Sequence, residues 1–360
     1  TKSIKDIPED AIELTGTIEA TSLAAGTYVV SGEASRNGNL PMDGEVNLIL
    51  KDGASLTVNG KISGATTLNI FGQEKSTGKL TIDNSEIDFG IIIKNVNIHG
   101  GVISITGPDQ AIETGGTLNI YNGTITASGL SNAIMALGPL NVYNGELTAT
   151  STSGAAISMW AEGDNSAILT IYDGKVAATS AAASGIEAND PGGDTGDITI
   201  KGGEVTATGG TSGICSSSSI IISGGKVIAK GGLTAAGIGS ADSGVCGVIT
   251  ITGGTVIAIG DEAGIGTGAN GTCGDIEISG GDVTAVSSST GTVDENDGTG
   301  AGIGAGGGGT CGAISISGGT VVAKAGCQAA AIGSSSGGSS KYTSLTISSG
   351  ITKVTAILGT

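Results

Sequence analysis

A short pattern of apolar and polar positions recurs along most of the chain. An apolar-polar-apolar triplet is followed by one residue and a glycine-bearing turn. A second alternating run of the Val-x-Ala kind comes next, then a loop, then an Ala-Ile or Gly-Ile pair. The first clear copy is Val96-Asn97-Ile98-His99-Gly100-Gly101-Val102. The next is Leu118-Asn119-Ile120-Tyr121-Asn122-Gly123, which leads into Ile125-Thr126-Ala127. Later copies centre on Val142, Ile171, Ile200, Ile222, Ile251, Ile278, Ile316 and Ile347, at intervals of 22 to 38 residues. Alternation with period two marks a strand with one buried face. The Gly-Gly or Asn-Gly pair supplies the positive φ that a sharp corner often needs. Glycines flanking Ile238, Ile265 and Ile303 predict a third, very short strand between tight bends.

Each copy therefore reads as one coil of three short strands. A single coil cannot bury its own apolar face, but coils stacked about 4.8 Å apart can, and they share one hydrogen-bond ladder. The expected fold is all-β: a single-stranded, right-handed parallel β-helix, a solenoid of about ten irregular three-strand coils. Variation in repeat length falls in the loops beside the third strand, where insertions leave the stack intact. Residues 1–66 are expected to form an N-terminal cap and first strands, residues 67–347 the β-helix, and residues 348–360 a C-terminal cap. Caps are expected because an open coil end is an exposed strand edge.

Composition sharpens this picture. Glycine contributes 68 of 360 residues but proline only 5, which excludes collagen and Pro-rich disorder. Hydrophobic residues make up 38% and aromatics 2%, so the core must be built from Ile, Val, Leu and Ala. The net charge is −18, and Arg36 is the only arginine. A phosphate backbone would be repelled, so nucleic acid is not an expected partner. No apolar run reaches membrane-spanning length, so no membrane insertion is expected from these residues. Starting at Thr1, the chain reads as a mature or trimmed one, so an extracellular or cell-surface location is an expectation from composition alone.

The blocks Leu68-Asn69-Ile70-Phe71-Gly72-Gln73 and Gly78-Lys79-Leu80-Thr81, with the Gly-Ile-Gly and Cys-Gly-x-Ile-x-Ile blocks of residues 236–323, carry a family resemblance. They resemble the Gly-rich repeat region of adhesin-like surface proteins of gut anaerobes, of the carbohydrate-binding-domain-containing type. The resemblance spans most of residues 45–350. It implies a surface location and contact with host or dietary glycans or with surface proteins. It brings no established ligand-binding residues with it.

Candidate chemistry lies on the outside of the coils. The residue after the triplet is His99, Tyr121, Tyr143 and Tyr172 in four consecutive copies. If the triplet's apolar residues point inward, these rings point outward in one column. Asn119 and Asn141 face out two residues earlier, and Trp160 lies between Tyr143 and Tyr172 in sequence, where it could wall one side. Rings flanked by amides suit sugar, whose apolar faces rest on rings while hydroxyls pair with amides. The bland alternative is a column of like residues that only stabilises strand pairing. Cys246, Cys273 and Cys311 each precede a first-strand Ile by three residues and should stack as buried free thiols. The acidic run Asp294, Glu295 and Asp297 could hold Ca2+, although it fits no EF-hand; otherwise no cofactor is expected. One histidine and one arginine offer little for a catalytic centre. The leading expectation is a non-enzymatic adhesin-like module. The alternatives are a polysaccharide lyase or glycoside hydrolase on the same scaffold, a purely structural stalk, and an ice- or mineral-binding surface.

Overall fold

The computed structural model describes residues 7–84, 88–160, 166, 168–189, 196–289, 300–335 and 339–359. Its regular elements are all strands, and they pair in parallel, each with its equivalent one coil earlier and one coil later. Three ladders run the length of the molecule. In the first, Leu118–Ile120 lies between Ile91–Ile98 and Leu140–Val142. In the second, Thr124–Gly129 lies between Val102–Gly107 and Glu146–Ser151. In the third, Asn132–Ala136 lies between Gln110–Thr114 and Ile157–Trp160. This is a parallel β-helix, as the repeat predicts.

Alternation places the aliphatic residues inside. Leu118 and Ile120 are buried while Asn119 between them is half-exposed, and Leu140–Val142 and Ile198–Ile200 repeat the pattern. Ile98, Ile120, Val142, Ile171, Ile200 and Ile222 form one continuous interior column. Each such side chain contributes about 1.5–3 kcal/mol on leaving water.

Glycine is required at two corners. Gly203, between the first and second strands of its coil, has φ +78°, and a Cβ there would lie 2.4 Å from the carbonyl oxygen of Gly174. Gly266, the last residue of its third strand, has φ +136°, and a Cβ would approach the carbonyl oxygen of Gly304 to 1.9 Å. The third strands expected around Ile238 and Ile265 are accordingly two residues long.

The ladders start earlier than the Gly-Gly repeat suggests. Ile12–Thr17, Gly26–Asn37, Val46–Leu50 and Ser55–Asn59 are already in parallel register with the coils that follow. The strand Ile62–Gly72 runs across the boundary expected at residue 66, with a shift of register between Gly64 and Thr67 where it passes from one ladder to the next. Coils upstream of Val96 lift the number above ten. They keep the apolar alternation but turn on different residues, such as Lys51-Asp52-Gly53, so the repeat is harder to see there. At the other end Lys353–Ile357 pairs with Thr320–Lys324 as part of a last coil, and Ile351 and Val354 pack against the core. No helix among the described residues is long and apolar enough to cross a membrane.

Candidate functional site: the outer side-chain ladders

The residue after each inward Ile turns outward at the end of its strand, and parallel register places successive copies one strand spacing apart. The result is a column of stacked rings. Centroids lie 4.6 Å apart from Phe71 to His99 and from His99 to Tyr121, with planes within 3°. The Tyr121–Tyr143 and Tyr143–Tyr172 separations are 4.8 Å, with planes within 5° and 7°. Lys201, at the same position one coil later, holds its Nζ 4.6 Å from the centre of the Tyr172 ring and ends the column with a cation–π contact. His99, Tyr121, Tyr143 and Tyr172 are thus brought together as the repeat predicts. Phe71 and Lys201 extend the column at its two ends. Their signal was in the sequence, since each follows the second apolar residue of its own triplet.

The geometry of the column limits what it can do. Each inner ring has neighbours over both faces, so only edges and phenol hydroxyls turn outward. Tyr143 and Tyr172 remain 36% and 38% exposed, whereas His99 and Tyr121 are half-buried. Burial, with Tyr121 and Tyr172 on either side, pushes the Tyr143 phenol above its ordinary value. A sugar lying flat on a ring, as the sequence suggests, would have to displace a neighbouring ring.

Beside the rings runs an amide ladder. The Nδ2 of Asn69 donates to Asn47 Oδ1 at 2.9 Å and to Glu45 Oε1 at 2.9 Å. Asn97 donates to Asn69 at 2.8 Å, Asn119 to Asn97 at 2.8 Å, and Asn141 to Asn119 at 3.0 Å. Asn119 and Asn141 are therefore hydrogen-bonded along the rod, each committing one N–H to the coil before it. Trp160 is not with them. It ends the strand Ile157–Trp160 in the third ladder, opposite Asn189, and is 39% exposed. Ile157 and Met159 continue interior columns with Ile134 and Ala136, so Trp160 belongs to a third-ladder strand and does not wall the rings.

A third external ladder alternates in sign. Glu146, Lys175, Glu204 and Lys226 occupy the same second-strand position on four coils. Lys175 Nζ lies 3.0 Å from Glu146, and Lys226 Nζ lies 2.8 Å from Glu204. The hydrogen bond and charge of Lys226 hold the Glu204 carboxyl below its ordinary value. Asp88 is likewise pulled down by its hydrogen bond from Lys61. Desolvation pushes Asp52 up, but the backbone N–H groups of Lys75 and Thr77 outweigh it and the net shift is downward.

Cys246, Cys273 and Cys311 stack in register, buried, with free thiols. Hydrogen bonds to Cys246 and Cys311, then burial, raise the Cys273 thiol well above its ordinary value; burial does the same to Cys215. Such thiols stay protonated and behave as small apolar groups. Among the described residues, no group of three or more His, Cys, Asp or Glu is placed to hold a metal ion. Asp294, Glu295 and Asp297 lie outside the described residues.

Six segments, residues 118–136, 198–214, 220–242, 249–269, 276–307 and 314–338, match a family model described as a beta helix repeat. Each segment opens on a first-ladder strand, so the matched unit and the structural coil coincide. The chain is a parallel β-helix repeat protein. The repeat match carries the architecture but names no ligand and no reaction. No curated protein and no solved structure matches this chain.

Proposed function

We propose that this β-helix is a non-enzymatic, adhesin-like rod of the extracellular space or cell surface, and that its stacked rings and amides are a stiffening spine. The observation that carries the reading is the closure of the outer ladders upon themselves. Ring faces meet ring faces from Phe71 to Tyr172, and amides meet amides from Asn47 to Asn141. Side chains engaged along the rod axis couple each coil to the next, as cross-strand pairs do in any sheet. The acidic skin of a chain with net charge −18 favours solubility of a long exposed surface. A glycosidase needs one carboxyl held protonated near neutral pH. Asp52, Asp88 and Glu204 are shifted the other way, which rules those three out of that part.

One observation favours a second reading, glycan binding along the outer edge of the column. Tyr143 and Tyr172 keep more than a third of their surface open, with ring centres 4.8 Å apart. The paired variant Tyr121→Ala/Tyr143→Ala separates the two. A spine predicts a loss of about 1–3 kcal/mol in urea unfolding, with no glycan-array signal from either protein. Glycan binding by the parent that the variant loses would transfer the column to the second reading. Release of reducing sugar or unsaturated products from polysaccharides would overturn the non-enzymatic assignment.

A further inference from the structure

Five asparagines of the chain, Asn37, Asn59, Asn122, Asn144 and Asn270, are each followed by glycine. A glycine nitrogen reaches the carboxamide of the preceding residue easily, because no Cβ hinders the approach. The fold treats these pairs differently. Asn59 Nδ2 donates to Asn37 Oδ1 at 2.8 Å, which holds both carboxamides. The Gly38 N–H donates to the Asn59 carbonyl at 2.8 Å. At the Asn270 turn, the Gly271 N–H donates to the Gly268 carbonyl at 3.3 Å.

Asn122 and Asn144 stand apart. They occupy one corner position in consecutive coils, next to the ring column, and Asp173 fills it one coil later. Asn144 is exposed and Asn122 half-buried. Among the described residues no backbone carbonyl accepts the Gly145 N–H. Asp173 shows how a side chain lies at this corner, since its Oδ1 accepts from the Gly174 N–H at 2.8 Å. That contact sets Cγ against the nitrogen of the next residue, the two atoms that a cyclic imide would join.

We propose that Asn144 is a self-modification site, which loses its amide nitrogen by closing onto Gly145 and then takes up water. The Gly145 nitrogen gives up its proton and bonds to Asn144 Cγ. Nδ2 leaves with that proton as ammonia, and a cyclic imide remains. Water opens the imide at either carbonyl. Breaking the bond from nitrogen to Cγ leaves an aspartate. Breaking the bond from nitrogen to the main-chain carbonyl carbon leaves an isoaspartate, whose chain runs through the side chain. Nothing is oxidised or reduced.

Both products disturb the coil. The new carboxylate lies one strand spacing from Asp173, and like charges facing each other across strands repel. The isoaspartyl link also adds a carbon to the main chain at a corner without slack. A Cβ on Gly145 would lie 2.7 Å from the Gly123 carbonyl oxygen, and one on Gly174 would lie 2.6 Å from that of Gly145. The corner is therefore a point at which the rod ages, whatever the ring column does.

Peptide mass mapping of the folded 360-residue chain, incubated at mildly alkaline pH, tests the proposal. Conversion at Asn144 is expected at least about tenfold faster than at Asn37, Asn59 or Asn270. Isoaspartate should be detected at the same residue by methyltransferase labelling. In the urea-unfolded chain the Asn-Gly pairs should convert at similar rates, because only the fold tells them apart. Asn144→Gln keeps a carboxamide at this exposed corner but would have to close a larger, slower ring, and circular dichroism checks its fold. After incubation the parent should have a lowered urea midpoint, whereas the variant should keep its own. Equal rates at Asn144, Asn37, Asn59 and Asn270 in the folded chain would overturn the proposal. So would an Asn144 that stays intact in the fold while the unfolded chain converts.

Discussion

At the scale of single residues, one alternation rule places nearly everything that matters. Ile120 points in, so Tyr121 must point out, and the same holds for Ile98 with His99 and Ile171 with Tyr172. That rule was legible in the sequence, and so was the column it generates. What the rule does not contain is ring orientation. A column of outward rings can lie edge to edge as a flat ribbon or face to face as a stack, and a spacing of 4.6–4.8 Å between parallel planes selects the stack. Trp160 shows the opposite failure. Its strand begins within Ala156-Ile157, the Ala-Ile pair that marks the third strand, but the repeat stops at that pair, so the place of Trp160 at the strand's end has no signal of its own. The Tyr143 phenol gives a pH prediction. Its folded value lies above the ordinary 10.0, so the neutral phenol is favoured in the fold. The associated stability is complete below pH 10 and is lost as pH rises through the raised value. Tyr143→Phe keeps the ring and removes the titration. Urea unfolding at about pH 8 and about pH 11 should show a shallower alkaline loss for the variant than for the parent.

At the scale of elements, glycine corners decide which coils can be recognised. Later coils turn on Gly-Gly pairs and announce themselves, while the strands Gly26–Asn37 and Val46–Leu50 have irregular corners and read as something other than repeat. The alternation Val46-Asn47-Leu48 was nevertheless visible, and Asn47 turns out to start the amide ladder. The corner glycines are also the weak points of the stack. A Cβ at Gly203 would meet a backbone oxygen at 2.4 Å in a region of φ that side chains avoid. Gly203→Ala should cost about 1–3 kcal/mol or more. Gly115 makes a fair control, since a Cβ there would meet only Lys94 Cα at 4.0 Å. Gly115→Ala should change the urea midpoint little. Equal effects at the two sites would contradict the corner geometry.

At the scale of the whole molecule, each coil touches only its neighbours, so stability should be graded along the axis. Amide hydrogen exchange of the dilute chain should be fastest in Lys341–Ile347, which is exposed throughout, and slowest in central coils such as those of Ile120 and Ile171. Uniform exchange along the rod would mean that the coils open together as one unit. Between those limits the outer ladders set how strongly one coil feels the next. A double-mutant cycle on Tyr121 and Tyr143, with unfolding free energy as the readout, measures that coupling directly. Stacked rings that form a spine predict a coupling of about 0.5–1.5 kcal/mol. A coupling of zero, with each single variant near the parent's stability, would contradict the spine.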